Sequence, residues 1–177
     1  MKNNPIKVLD CTLRDGGYYN NWDFHESTVT KYLSAVRDAK VDIVELGFRS
    51  LQRKKFLGKF GYTDDIFLNS LQLPSEISYA VMINAGDLIN FENGIDKAVN
   101  LLFSEKEISP VDIVRIASHP NEVIYCKEIA FNLKKLGYRV FLNLMQITSI
   151  DDKSLKQIVH EINKWNCIET LYFADSF

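Results

Sequence analysis

Six short runs along the chain are almost continuously apolar: Ile6 to Cys11, Val41 to Phe48, Ile77 to Asn84, Val111 to Ala117, Tyr138 to Gln146 and Ile168 to Ala174. A strand that is apolar on both sides must be covered on both sides, which is the condition of a strand inside a parallel sheet flanked by helices. The runs recur about every 28 to 36 residues, the length of one strand plus one helix. Between them lie helical patterns. Ser27 to Ala39 puts Val29, Tyr32, Leu33 and Val36 on one face; Asp87 to Phe103 reads as a single helix; Asn121 to Leu136 stops at Gly137; Ile150 to Trp165 takes Asp151 or Asp152 as its cap. The second unit is less regular, with a long loop over Gln52 to Tyr62 that carries Arg53, Lys54 and Lys55, then a helix over Thr63 to Gln72. Alternation from end to end predicts an α/β domain with a parallel sheet, spanning 1–177 as one unit.

Bulk properties exclude several classes. The formal charge of −2 and a pI near 5.9 leave no broad basic surface for nucleic acid or anionic lipid. Cys11, Cys126 and Cys167 form no Cys-x-x-Cys pair and leave one over, so neither a disulfide framework nor a cysteine zinc site is implied, and a reducing cytoplasm is expected. No apolar run has the length of a membrane span or a signal-peptide core.

Polar side chains gather where the apolar runs finish. Arg14 and Asp15 follow the first; Glu45 interrupts the second; Asn84 ends the third; Arg115, Ser118 and His119 mark the fourth; Asn143 and Gln146 the fifth; Asp175 and Ser176 the sixth. A charge among Val, Ile and Leu is costly to bury unless it is paired or bound to something. Each has a plain structural alternative: Arg14–Asp15 as a local ion pair, Glu45 as partner to Arg14, Arg49 or Arg115, His119 as a helix-entry residue, the asparagines as ties for loop backbone. Polar residues recurring at the same end of strand after strand predict a convergent site, since active sites of parallel α/β proteins sit at the carboxyl ends of strands. An aspartate there can hold a metal, and an adjacent arginine can stabilise an oxyanion.

The stretch Asp10-Cys-Thr-Leu-Arg14-Asp15-Gly16 resembles the opening motif of the DRE-TIM metallolyase superfamily, which includes hydroxymethylglutaryl-CoA lyase, isopropylmalate synthase and 4-hydroxy-2-oxovalerate aldolase. The resemblance continues through Val44-Glu45-Leu-Gly47-Phe48, Val114-Arg115-Ile-Ala-Ser-His119, Leu136-Gly137-Tyr138 and Tyr172-Phe-Ala-Asp175-Ser176, the fourth and sixth segments looking most like the 4-hydroxy-2-oxovalerate aldolase branch. It implies a (β/α)8 TIM-barrel type, here truncated after about six βα units. It also implies a divalent ion, Mn2+ or Mg2+, bound by Asp15 and by two histidines expected beyond residue 177. Arg14 would stabilise the enolate, Glu45 would be catalytic, and Arg115, His119, Asp175 and Asn143 would bind substrate. The family branch has a histidine base where this chain has Tyr18, an ordinary tyrosine being a poor base near neutrality.

The activity so implied is cleavage or formation of a carbon–carbon bond in a small 4-hydroxy-2-oxo acid through a pyruvate enolate. Alternatives are an acyl-CoA-using lyase or Claisen-type synthase, and a non-catalytic binding domain. The partner expected is a 2-oxo acid, with a homo-oligomer possible and no nucleic acid or membrane.

Overall fold

The computed structural model describes residues 6–51 and 56–175. The chain alternates strand and helix throughout. In order come β1 (Leu9–Asp10), α1 (Thr12–Asn20), α2 (Glu26–Asp38), β2 (Ile43–Phe48), α3 (Asp65–Asn69), β3 (Ser78–Asn84), α4 (Ala85–Ile89), α5 (Ile95–Leu102), β4 (Ile113–Ser118), α6 (Val123–Lys135), β5 (Arg139–Leu144), α7 (Asp152–Trp165) and β6 (Thr170–Phe173). All pairings are parallel and the strand order is sequential, β1 to β6.

That topology corrects one expectation. The α/β class with a parallel sheet holds, but the described residues do not form a (β/α)8 barrel: they form a six-stranded half-barrel sheet in which β1 and β6 are the two edges and do not pair with each other. The loop residues Arg53, Lys54 and Lys55, and Ser176, lie outside the described residues.

Side chains alternate across each strand, so every strand contributes to two layers. Val44, Leu46, Val81, Ile83, Val114, Ile116, Val140, Leu142 and Leu144 face the helices and join the main core with Val29, Leu33, Val99, Ile129 and Leu133. The opposite face is stratified. Ile43, Ala80, Ile113 and Phe141 make an apolar floor, with Leu9 and Tyr172 against it. Phe48, Met82 and Ala117 make a second apolar group toward the strand ends, with Trp22 and Met145. Between floor and rim, on the same face by alternation, come Glu45, Arg115 and Asn143, all buried.

Two local features aim the polar layer. In β2 the register slips, Glu45 pairing with Ala80 but Phe48 with Met82, so an extra residue is accommodated and the strand end bends. Gly47 makes this possible, because a Cβ there would lie 1.9 Å from the Phe60 carbonyl oxygen. The helix expected over Asp87 to Phe103 is instead two helices, α4 and α5, because Gly94 takes φ +88° and interrupts the turn.

Candidate active site at the strand ends

The chain leaves β1 directly into α1, a nine-residue helix running through Gly16 and Gly17. Arg14 and Asp15 fall in its first turn, where unpaired backbone N–H groups favour a carboxylate. The helix ends at Asn21 in the left-handed region, and Trp22 folds back over it: the indole N–H donates to the Arg14 carbonyl at 2.9 Å. Gly17 is required beneath that ring, since a Cβ would sit 2.0 Å from Trp22 Cδ1. Trp22 in turn lies edge-on to Phe48 and to Tyr18, with ring centroids 5.5 and 4.8 Å apart. An aromatic wall thus fixes the α1 backbone from which Arg14 reaches inward.

Glu45 is the centre of the site and is fully buried. Arg14 Nε donates to its Oε1 at 2.7 Å, and Arg115 Nη1 donates to both carboxylate oxygens at 3.1 Å. Arg115 Nη2 donates to Asn143 Oδ1 at 3.0 Å, and its guanidinium lies over the Tyr172 ring at 4.5 Å. Residues from α1, β2, β4 and β5 therefore form one hydrogen-bonded chain, Arg14–Glu45–Arg115–Asn143. Arg115 Nε is buried with no hydrogen-bond partner among the described residues. A buried donor left unpaired costs about 1–3 kcal/mol, so the cluster is not arranged for stability alone.

Asp15 closes the outer end. Its carboxylate is paired with Arg14 Nη1 and accepts from the Cys11 thiol at 3.1 Å, yet its side chain is 56% exposed. Burial, reinforced by the hydrogen bond to Asp15 and its charge, pushes the Cys11 thiol up to about 11. Burial alone would lower the Arg14 pKa, but Glu45 and Asp15 outweigh it and the pKa is raised, so this cation is permanent. Burial also raises the Tyr172 pKa; Arg115 opposes that shift and Glu45 adds to it. Two arginines face one buried and one exposed carboxylate. With Nε on Glu45 and Nη1 on Asp15, the Arg14 guanidinium keeps Nη2 unengaged among the described residues.

The other predicted residues are more dispersed. Tyr18 is 64% exposed, its ring packed edge-on against Trp22 and Phe48 at the site's mouth. His119 caps the turn that begins α6, its N–H donating to Glu122 Oε2 at 2.9 Å. Asp175 is exposed and accepts from the Thr148 hydroxyl at 2.6 Å. Arg49 takes no part: it is clamped behind β2 by the Thr63 and Leu102 carbonyls and by Asp65 at 2.7 Å. One rim residue escaped the sequence reading. Asp87, three positions past Asn84, has its carboxyl pKa raised by burial; hydrogen bonds with Asn84 and Ser50 oppose that shift and the nearby Glu122 charge adds to it. Its signal was an acid just past a strand-ending asparagine, hidden by assigning it to the helix that follows.

For a divalent ion the fit is partial. Asp15 offers one accessible carboxylate, but among the described residues no group of three or more His, Cys, Asp or Glu side chains is placed to hold a metal. Glu45 cannot contribute while two arginines occupy its oxygens. The described residues do not by themselves make a metal site.

Fold and site together define an α/β protein whose open parallel sheet carries a charged cluster at the carboxyl ends of its strands. No family model matches the chain, and no curated protein matches it. Among solved structures it is similar to the N-terminal domain of a candidate aldolase from Bacteroides vulgatus, with a TM-score of 0.74 and 29% sequence identity. That match covers 95% of this chain and 63% of the other, so the chain spans less than two thirds of its neighbour's length. No helix among the described residues is long and apolar enough to cross a membrane.

Proposed function

We propose that the protein acts in aldolase-type chemistry, breaking or making the C3–C4 bond of a small 4-hydroxy-2-oxo acid through a pyruvate enolate. The observation that carries this reading is Arg14: the buried Glu45 and the half-exposed Asp15 together hold its guanidinium at the carboxyl end of the sheet. The aldolase assignment of the structural neighbour and the resemblance of the first motif to metal-dependent lyases support it.

In the cleavage direction a base takes the proton of the 4-hydroxyl. The C3–C4 electron pair then becomes the C2–C3 double bond of an enolate as the aldehyde leaves, and a proton returned to C3 gives pyruvate. Negative charge develops on the C2 oxygen. A cation fixed beforehand stabilises that charge without reorganisation, and loss of one such donor typically costs about 10²–10³ in rate. Arg14 has this role in the proposal, Glu45 orients it, and Arg115 with Asn143 holds Glu45 from behind. Tyr18 at the mouth is the candidate to exchange the hydroxyl proton, while His119 and Asp175 at the ends of β4 and β6 are candidates for substrate contacts. The reading includes Mn2+ or Mg2+ with Asp15 as one ligand; such an ion would polarise the 2-oxo acid, and its other ligands would have to come from outside the described residues.

The test is exchange of pyruvate methyl protons in D2O, followed by proton NMR with Mg2+ present. The native protein should exchange them and Arg14→Met should be slower by about 10²-fold or more. Exchange that survives Arg14→Met, or no exchange in the native protein with either metal, would overturn the proposal.

A further inference from the structure

We propose that the cavity enclosed by the α1–α2 turn, α2 and α3 binds a small amino acid with an aromatic side chain, a function separate from the strand-end chemistry. The cavity holds about 400 Å³ and is walled by Phe24, Phe60, Phe67 and Leu71. That volume lies in the range of small-ligand sites, roughly 300–1,000 Å³. Phe60 is buried and meets two of these rings edge-on, its centroid 5.6 Å from that of Phe24 and 5.0 Å from that of Phe67. Phe24 and Phe67 are only partly buried, so some of each ring remains open to the cavity. Gly58 builds one corner: its N–H donates to the Asn21 carbonyl at 2.7 Å, and a Cβ there would lie 2.2 Å from the Trp22 carbonyl oxygen. That close approach lets the segment carrying Lys59 cross directly against Trp22 and Asp23.

Three exposed charges line the same cavity: the carboxylates of Asp23 and Glu26 and the ammonium of Lys59. None of them makes an ion pair among the described residues. Lys59 Nζ instead lies 5.3 Å from the centre of the Phe67 ring. Opposite charges held apart around an aromatic wall restrict what can enter. A purely apolar molecule would strip water from these groups and return no hydrogen bond. A simple anion would face two carboxylates, and a simple cation would face Lys59. A dipolar ion meets both signs at once: an ammonium with three N–H donors suits the paired carboxylates, and a carboxylate suits Lys59. The wall then selects the third substituent, a ring that packs edge-on or offset against Phe24 and Phe67. An aromatic α-amino acid carries these three groups on one carbon.

The experiment is saturation-transfer difference NMR on the whole chain with three probes: L-phenylalanine, phenethylamine, which lacks the carboxylate, and hydrocinnamate, which lacks the ammonium. Phenylalanine should bind saturably with a Kd of about 1 mM or below. The other two should bind about fivefold more weakly, the loss expected for one partly exposed charge pair. Lys59→Gln should weaken phenylalanine about fivefold without weakening phenethylamine, and Glu26→Gln should weaken both amines without weakening hydrocinnamate. Both positions are exposed, circular dichroism confirms that the variants fold, and the comparison of probes on the native protein needs no variant. Excess oxamate should leave phenylalanine binding unchanged, because no strand-end residue lines this cavity. Absence of saturable phenylalanine binding, equal affinity for all three probes, displacement by oxamate, or a folded variant that weakens every probe alike would each overturn the proposal.

Discussion

Replacing Glu45 by Gln should destabilise the fold more than any other single polar change in the molecule. The side chain is fully buried and is, among the described residues, the only carboxylate touching Arg115, whose Nη1 bonds both of its oxygens at 3.1 Å; it also receives Arg14 Nε at 2.7 Å. Glutamine keeps the shape but removes the charge and turns an N–H donor toward a guanidinium, so two mostly buried cations lose their common partner. Breaking a buried pair by removing one member costs about 3–5 kcal/mol. With an m-value of about 3 kcal/mol/M in urea, the upper end of the usual range for a chain this long, the midpoint should fall by about 1–1.7 M. The assay is urea unfolding followed by tryptophan fluorescence and circular dichroism together, with Arg115→Met and the double variant completing a cycle. The double variant should lose clearly less than the sum of the singles, because Arg115→Met removes one of the charges that Glu45→Gln strands. A midpoint shift under about 0.3 M, or full additivity, would refute the claim that Glu45 balances the arginines.

Other outcomes follow from the same contacts. Gly47→Ala should cost about 1–3 kcal/mol in the same unfolding assay, since its methyl would meet the Phe60 carbonyl and the β2 bend has no room to yield. Cys11, with its thiol pushed up to about 11 from an ordinary 9.0, should alkylate at pH 8 roughly a hundredfold more slowly than a free cysteine. Asp15→Asn should recover part of that rate, burial retaining the rest; iodoacetamide labelling followed by mass spectrometry measures both. Asp151 caps α7 by accepting from the Lys153 and Ser154 N–H groups, and the Ser154 hydroxyl bond, followed by these backbone bonds, lowers its pKa below the ordinary 3.8. A depressed folded-state value means that its contribution is present above pH 3.8 and is lost as pH falls through the lower folded value. Asp151→Asn should therefore keep the cap and flatten the melting-temperature profile at the acid end, which a series of calorimetric scans from pH 5 down to about pH 2 would check.

Much of the architecture was legible because burial on both faces leaves a periodic mark. Five of the six strands fall within the apolar runs and β4 passes the end of its run by one residue, while α2, α6 and α7 lie within a residue or two of their amphipathic patterns. Closure of the sheet was not legible, because it depends on pairing between strands at opposite ends, which no local pattern encodes. Helix α1 was hidden for a different reason. Gly16 and Gly17 are poor helix formers, whereas Gly17 serves a tertiary purpose, clearance for the Trp22 ring. The break at Gly94 was read through because the apolar spacing on its two sides is nearly in phase. In the site, costly charges in apolar strands drew attention to Glu45 and Arg115, which are buried and paired with each other, but the sequence left Glu45 with three candidate arginines. Alternation decides among them: Arg115 shares the inner face with Glu45, whereas Arg49 follows the bulge and turns to the Thr63 and Leu102 carbonyls.

The bulge also explains how one carboxylate can govern the charge balance of the opening. Because β2 slips register after Glu45, Phe48 comes to the rim against Trp22 while Glu45 stays a layer lower, sealed between the apolar floor and that aromatic lid. Among Arg14, Glu45 and Arg115, all largely buried, the formal charge is +1, and Asp15, which among the described residues is the only countercharge bonded to Arg14 from outside, is more than half exposed. Water screens an exposed carboxylate far more than a buried one, so the interior retains a net positive potential that Asp15 offsets only in part. An anion arriving at the strand ends would meet that potential at Arg14. Neutralising Asp15 should strengthen it: Asp15→Asn should bind a small 2-oxo acid mimic such as oxamate, without added metal, more tightly than the native protein in calorimetric titration. If an ion held through Asp15 is instead what recruits the anion, the same substitution should weaken binding once Mg2+ is present, so titrations with and without metal separate the arginine's contribution from the carboxylate's. Equal affinities for both proteins under both conditions would show that the buried charge excess does not reach the opening at all.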